Sequence, residues 1–414
     1  MRPRNARCAR LAASVSMALA LSAGATIAHA QDAGDTDTTD AADTTDTTDA
    51  ADAMRDATRD GDARREGKAQ DARREGRART GTPDVLAVAG RVHVRDTITG
   101  VDLAGDTTWL DERTLDSARV SLSFRPNART RMDLEVDFAG DQAELKDTFI
   151  RYRPAARVAI HAGRFKRPVS FVAMTSTWDL PRIDRGLLSE LRLDDRRLLF
   201  AGGRGDGVML EVDLPAPLAP RLSVAMHESD LADDLGLPLT DVNQDVFARL
   251  EVAPAPALRV AVAGGSVGAL GRLGERASYR HRAFATVEAS LETAPVRAWA
   301  EVMAGRTAST YVDGALAGDF VAAQALVAPR LDPPGGLRLL EPFAAAGWLD
   351  PSTAQADDEL AELTAGAALW MTGKLRLQLE GGRRFASGPL APSADATIIR
   401  IQLGAAFDTK LELP

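Results

Sequence analysis

The chain has a single cysteine in 414 residues, Cys8, and it lies in a stretch that the sequence marks for removal. Disulfides, thiolate-bound metal and thiol catalysis are thereby excluded from the mature chain. Lysine is almost as scarce, with 5 among the 50 basic side chains, and no long stretch is strongly basic at a formal net charge of -9. Duplex nucleic acid is therefore not an expected partner. Histidine is sparse and scattered, at His29, His93, His161, His227 and His281. None sits four residues from another, so no histidine metal site is expected, nor any other cofactor. Aromatic residues make up only 5% of the chain, few for any architecture that lines its rims with them. Beyond residue 30 no run of eighteen apolar residues occurs, which excludes a spanning helix in the mature chain.

Three segments of differing composition follow one another. In residues 1–30, Arg2, Arg4, Arg7 and Arg10 precede a stretch from Leu11 to Ile27 rich in Ala, Leu, Val and Met, and Ala28-His29-Ala30 fits a small-residue cleavage site. This reads as a secretory signal peptide, and the mature chain is expected to leave the cytoplasm. Residues 31–60 hold ten Asp among Thr and Ala, opposed only by Arg55 and Arg59, and cannot bury enough apolar surface to offset chain entropy. Residues 61–80 contain Asp62-Ala-Arg-Arg-Glu-Gly67 and then Asp71-Ala-Arg-Arg-Glu-Gly76, where opposite charges meet across helical turns. The whole of 31–80 is read as a disordered acidic, then charged helical, extension.

From about residue 85 the hydrophobic period becomes two. Val120, Leu122 and Phe124 alternate with Arg119, Ser121, Ser123 and Arg125. After Pro126-Asn127, the residues Leu134, Val136 and Phe138 alternate with Asp133, Glu135 and Asp137. The same alternation recurs to Ile399, Ile401 and Leu403, in sixteen or seventeen segments, many of eight to twelve residues. Tight turns at Pro126-Asn127, Pro154-Ala155 and Pro254-Ala255-Pro256 alternate with longer acidic or glycine-rich loops. Strands of that length, short turns on one side and long loops on the other, and charges of both signs on the polar face together predict a transmembrane antiparallel β-barrel of about 16 strands over 81–414. A soluble secreted sheet protein with a binding role is the competing reading, because a sheet with one solvated face also alternates. In the barrel, Leu134, Val136 and Phe138 face lipid and Asp133, Glu135 and Asp137 face the lumen, so Asn at Glu135 is expected to cost little.

Leu145-Lys-Asp-Thr-Phe-Ile-Arg-Tyr-Arg153, Val158-Ala-Ile-His-Ala-Gly-Arg-Phe-Lys-Arg-Pro168, Leu180-Pro-Arg-Ile-Asp-Arg-Gly186 and the run from Arg197 to Leu210 resemble the phosphate-selective porin O and P family. The resemblance implies an outer-membrane barrel of sixteen strands, often a homotrimer, that passes small anions or other small solutes by passive diffusion and is no enzyme. Its partners would be the outer-membrane lipid and those solutes. The long segment between Lys166 and Arg197 is basic, and folding inward would explain its length. Arg164, Lys166, Arg167, Arg182, Arg185 and Arg192 are the candidate anion-binding residues, because rings of cations offset the cost of shedding an anion's hydration. The other outcome is a solvated loop whose arginines pair with Asp179, Asp184, Glu190, Asp194 and Asp195.

Two further spellings carry chemistry elsewhere. Gly264-Gly-Ser-Val-Gly268 fits a nucleophile elbow, and a barrel hydrolase would need Ser266 beside a histidine such as His281 and an acid. No helical pattern follows it, so a barrel loop is expected instead. Arg204-Gly-Asp206 matches an adhesion tripeptide but lies between Gly203 and Gly207, where a turn explains it.

Overall fold

The computed structural model describes residues 85–412, apart from 104–105, 188–191, 194–195, 198–202, 216, 229–243, 268–281, 312–313, 355 and 388–394. The signal peptide and the extension read from the sequence lie outside the described residues. Alternating residues build β1 (Val85–Leu103), β2 (Asp106–Asn127), β3 (Thr130–Asp137), β4 (Glu144–Ala155) and β5 (Val158–Lys166). After the long segment, which contains a short helix α1 (Phe171–Met174) and the pair β6 (Arg192–Leu193) and β7 (Arg196–Arg197), come β8 (Arg204–Asp213), β9 (Arg221–Glu228), β10 (Gln244–Ala255), β11 (Leu258–Val267) and β12 (Arg282–Glu292). The chain closes through β13 (Val296–Tyr311), β14 (Gly314–Pro329), β15 (Leu339–Asp350), β16 (Leu360–Trp370), β17 (Leu375–Ala386) and β18 (Ala396–Glu412). Each strand of the barrel pairs antiparallel with its sequence neighbour, β5 with β8 across the long segment, and β18 with β1 to complete a closed barrel of 16 strands. Closure leaves no sheet edge, the condition for crossing a bilayer with strands.

The alternation sorts by side. Val287, Val302, Leu379, Ile401 and Leu403 are among the exposed large hydrophobics, whereas Asp245, Glu288, Glu301, Arg376, Gln378 and Gln402 are buried. Such a molecule is inside-out relative to a water-soluble one: its apolar belt faces outward and its polar groups face the lumen. Glu135 and Asp137 project to the charged face as the alternation requires, and Phe138 is exposed on the other. Arg substituted at Val136 is expected to cost roughly 2–4 kcal/mol if that position lies near the midplane. A urea titration of folding into lipid vesicles measures it.

Several strands run past the lengths read from the sequence, β2 to 22 residues and β1 to 19. The excess extends the ladder beyond the hydrocarbon layer, so hydropathy alone does not mark its end. The three proline turns also sit differently. Pro126, Pro154 and Pro254 lie within the last residues of β2, β4 and β10, and the turns follow them. At each one the pairing register shifts, between Phe124 and Asn127, Tyr152 and Ala155, and Val252 and Ala255. A residue without an N–H interrupts the ladder but is tolerated at a bulge. The first turn closes because the Asn127 side chain accepts from the Arg129 and Thr130 amides, both at 2.9 Å.

Not every inward position is polar. On β13, β14 and β15, Trp299, Leu326, Ala328, Phe343 and Ala345 are buried on the lumen side. Phe165, Met209, Ala225 and Phe247 form a second apolar seat on β5, β8, β9 and β10. The Phe247 ring lies across Gly265, where any Cβ would come within 2.3 Å of it. Gly265 thus lets the ring lie against the wall.

Candidate functional site

Pro168 stops β5, because it cannot donate to the ladder, and the chain turns into the lumen. Ser170 caps α1, its Oγ accepting from the Ala173 amide at 3.3 Å, and Ser176 caps the following turn at Thr177–Asp179. Residues 167–187 then cross the bore and are fastened on several sides. Arg167 pairs with Asp245 of β10 at 3.2 Å, Ser170 donates to Glu301 of β13 at 2.5 Å, and the Phe171 amide donates to Glu288 of β12. Arg376 of β17 donates to the carbonyls of Thr177, Trp178 and Leu180 at 3.2, 2.5 and 3.0 Å. Gln378 donates to those of Leu180 and Pro181. Arg91 of β1 reaches the Ser176 hydroxyl at 2.5 Å.

Apolar contacts complete the seating. Val169 packs on the Phe165, Met209 and Phe247 seat, and Val172 and Leu180 pack on the Trp299, Leu326 and Phe343 seat. Trp178 stacks on His93 with centroids 5.4 Å apart and planes 4° from parallel. The Arg376 guanidinium lies 5.0 Å from the centroids of both Trp178 and Trp370. A cation over indole faces with its N–H groups on backbone carbonyls is a strong latch in a water-poor site.

The candidate basic residues divide by role. Arg182 is buried and holds Asp184 at 2.7 Å, Glu362 of β16 at 2.9 Å and Glu380 of β17 at 3.8 Å. Arg400 of β18 completes this network through Asp184 at 2.5 Å and Glu380 at 2.8 Å. Arg167 is likewise committed to the wall. Arg164 pairs with Asp206 at 3.0 Å, and Arg192 opens β6. Lys166 and Arg185 converge instead on one carbonyl: Lys166 Nζ donates to Met174 O at 2.8 Å and Thr175 O at 3.2 Å, and Arg185 Nη2 donates to Thr175 O at 3.0 Å. Of the acids named as loop partners, Asp184 pairs with Arg182, while Glu190, Asp194 and Asp195 lie outside the described residues; among the described residues most of the charge partners come from the barrel wall. Residues 167–187 are thus an inserted element and not a solvated loop.

A second network, absent from the residues singled out in the sequence, lines the arc of β1 to β4 and β8. Glu135 lies 3.1 Å from Arg119, 3.5 Å from Arg91 and 3.6 Å from Arg204, and Arg204 also holds Asp147 at 2.8 Å. Beside it, a cavity of about 390 Å³ is lined by Arg95, Glu112, Asp116, Asp137, Glu144 and Lys146, among others. Alternation places these groups inward one strand at a time, but only closure of the barrel brings them together.

The two decoys resolve into strand. Ser266 pairs with Ala283 inside the β11–β12 ladder, so 264–267 is neither a loop nor a strand-to-helix turn, and His281 lies outside the described residues. Arg204-Gly-Asp206 opens β8 and is not a turn, with Arg204 and Asp206 both in ion pairs across strands.

No protein-family model and no curated protein matches the chain. Solved structures do. The OmpF porin of Salmonella typhi, in complex with daunomycin, superposes with a TM-score of 0.56 at 12% identity, over 78% of this chain and 97% of that one. An anion-selective porin of Comamonas acidovorans gives 0.51 at 12% identity over 78% and 100%, and the outer-membrane channel DcaP of Acinetobacter baumannii gives 0.50 at 13% over 80% and 99%. At these identities the likeness is one of fold. With its closed wall and apolar exterior, the chain folds as a 16-strand β-barrel of porin architecture.

Proposed function

We propose that this barrel is an outer-membrane porin for passive diffusion of small solutes, with small anions such as phosphate preferred. The reading agrees with the resemblance to the phosphate-selective porin O and P family, and a homotrimer belongs to it, to be checked by light scattering in detergent. One observation carries it. Lys166, Arg185 and Arg91 all fasten on residues 174–176 of the inserted segment, and Arg204 lies close to Lys166, with Asp147 beside them. Arg185 of the segment and the wall cations Arg91, Lys166 and Arg204 thus meet at one level of the bore. In a narrow passage such groups act more strongly than in bulk water, whereas acids farther off are screened within about 8–10 Å at physiological salt. Arg167 and Arg182 contribute differently, by holding the segment in place.

The test is the reversal potential of single channels in planar bilayers under a salt gradient. The K166Q/R185Q variant is expected to shift the permeability ratio towards cations while conductance steps of similar size persist. An unchanged ratio would remove these two residues from the selectivity of the pore. Absence of conductance steps in the parent would overturn the porin reading itself.

A further inference from the structure

The two ends of the barrel differ in a way that the pore reading leaves unused. β1 begins at Val85, paired with Glu412 of β18 and Arg125 of β2, so the chain enters the barrel at the end where the turns are short. That end carries Arg129 and Arg157 at the tips of two turns, Arg259 on β11, Arg338 just before β15 and Lys410 near the end of β18. None of these five has a carboxylate partner among the described residues, and all are exposed. Most acids at the same end are spent on other cations, as Glu211 is on Arg151, Glu292 on Arg297 and Arg330, and Asp408 on Lys374, with the exposed Asp332 the exception. The five are spread from β2 round to β18, and Arg259 pairs in register with the buried Ser290, which puts it on the lumen side. They form a ring of uncompensated positive charge around this mouth.

The 84 residues before Val85 hold the complement. Residues 31–60 carry ten Asp against Arg55 and Arg59. Between that run and the barrel lie residues 61–84, a tether in which the twenty residues read as helical would span roughly 30 Å at about 1.5 Å per residue. That is on the order of a sixteen-strand barrel's width, so an attached polyanion meets the ring at an effective concentration in the millimolar range. We propose that residues 31–60 dock on this ring, as a tethered polyanion drawn to the short-turn mouth. The attraction is between exposed charges, so it must fade with salt, over a Debye length of about 10 Å at 0.1 M falling to about 3 Å at 1 M.

A nitroxide placed by A42C on the full chain, with Cys8→Ser so that the label is unique, reports the docking directly and needs no conduction. Its failure is therefore separate from failure of the porin reading. At about 0.1 M salt most of the signal is expected in a slow, immobilised component, passing to the fast component at about 1 M. The same release is expected at low salt when Arg129, Arg157, Arg259, Arg338 and Lys410 are all changed to Gln, side chains that touch neither the inserted segment nor its wall partners. A label equally fast in parent and variant at low salt overturns the proposal. So does a slow component that survives the five changes, which would put the tail on lipid, or one that grows with protein concentration, which would put it on a second copy.

Discussion

Replacing Arg182 by Met is expected to loosen the inserted segment at a cost of about 3–5 kcal/mol, the range for removing one partner of a buried ionic network. Arg182 is only 4% exposed, and its loss leaves Asp184, Glu362 and Glu380 to share Arg400 and, for Glu362, Arg384 at 2.9 Å. Methionine fills most of the volume, so the expected effect comes from charge and not from a cavity. The measurement is current noise: a quiet open level in the parent should become flicker between levels in R182M. The double variant R182M/E380Q should recover part of the lost stability, because it removes one of the stranded carboxylates. Equal noise and equal urea midpoints in parent and R182M would show that the network does not hold the segment.

The contribution of Asp184 to that network has a definite pH dependence. Burial alone would push the Asp184 carboxyl up, but Arg182, Arg400, the Gly186 amide and Arg384 outweigh it and hold the group well below the usual carboxylate range. A depressed folded value contributes stability that is present above the unfolded value and is lost only as pH falls through the folded one. The contribution of Asp184 to the seating is therefore expected to persist through mild acid in the parent. In R182M the loosening should begin nearer the ordinary carboxylate value of about 4, which a pH series of the same recordings reads out.

Much of the barrel was legible because a lipid-spanning wall must alternate, and a period of two survives in single strands such as Asp133 to Phe138. The inserted segment was legible as well, because 167–187 is too long and too basic for a hairpin. What it touches was not. Trp299, Leu326 and Phe343 occupy inward positions that the alternation reads as polar, and they are apolar because Val172 and Leu180 cover them. No local pattern announces a cover that arrives from more than a hundred residues away. For the same reason Arg167 and Arg182 read as free cations in sequence, although their neutralising acids, Asp245, Glu362 and Glu380, lie on strands that only closure brings near. Composition counts charges, and topology decides which of them remain uncompensated.

The expectation that Asn at Glu135 costs little concerns stability; on selectivity a change at Glu135 has a large expected effect, of opposite sign to K166Q/R185Q. Glu135 faces Arg91, Arg119 and Arg204, and Ser121 donates to its other oxygen at 3.1 Å. E135Q keeps the shape and removes the charge, so three guanidinium groups lose a shared counterion, while Arg119 keeps Asp137 at 2.7 Å and Arg204 keeps Asp147. A unit charge about 4 Å from an ion in a water-like medium is worth about 1 kcal/mol, roughly fivefold in a permeability ratio. E135Q is therefore expected to move the reversal potential towards anions by up to about that factor, where K166Q/R185Q moves it towards cations. Both shifts should shrink at 1 M salt, because groups about 15% exposed are still partly reached by counterions. If the two variants move the ratio in the same direction, the ions do not pass between the segment and the arc of β1 to β4. If E135Q alone is silent, the passage lies on the far side of the segment, and Lys166 and Arg185 act without the wall.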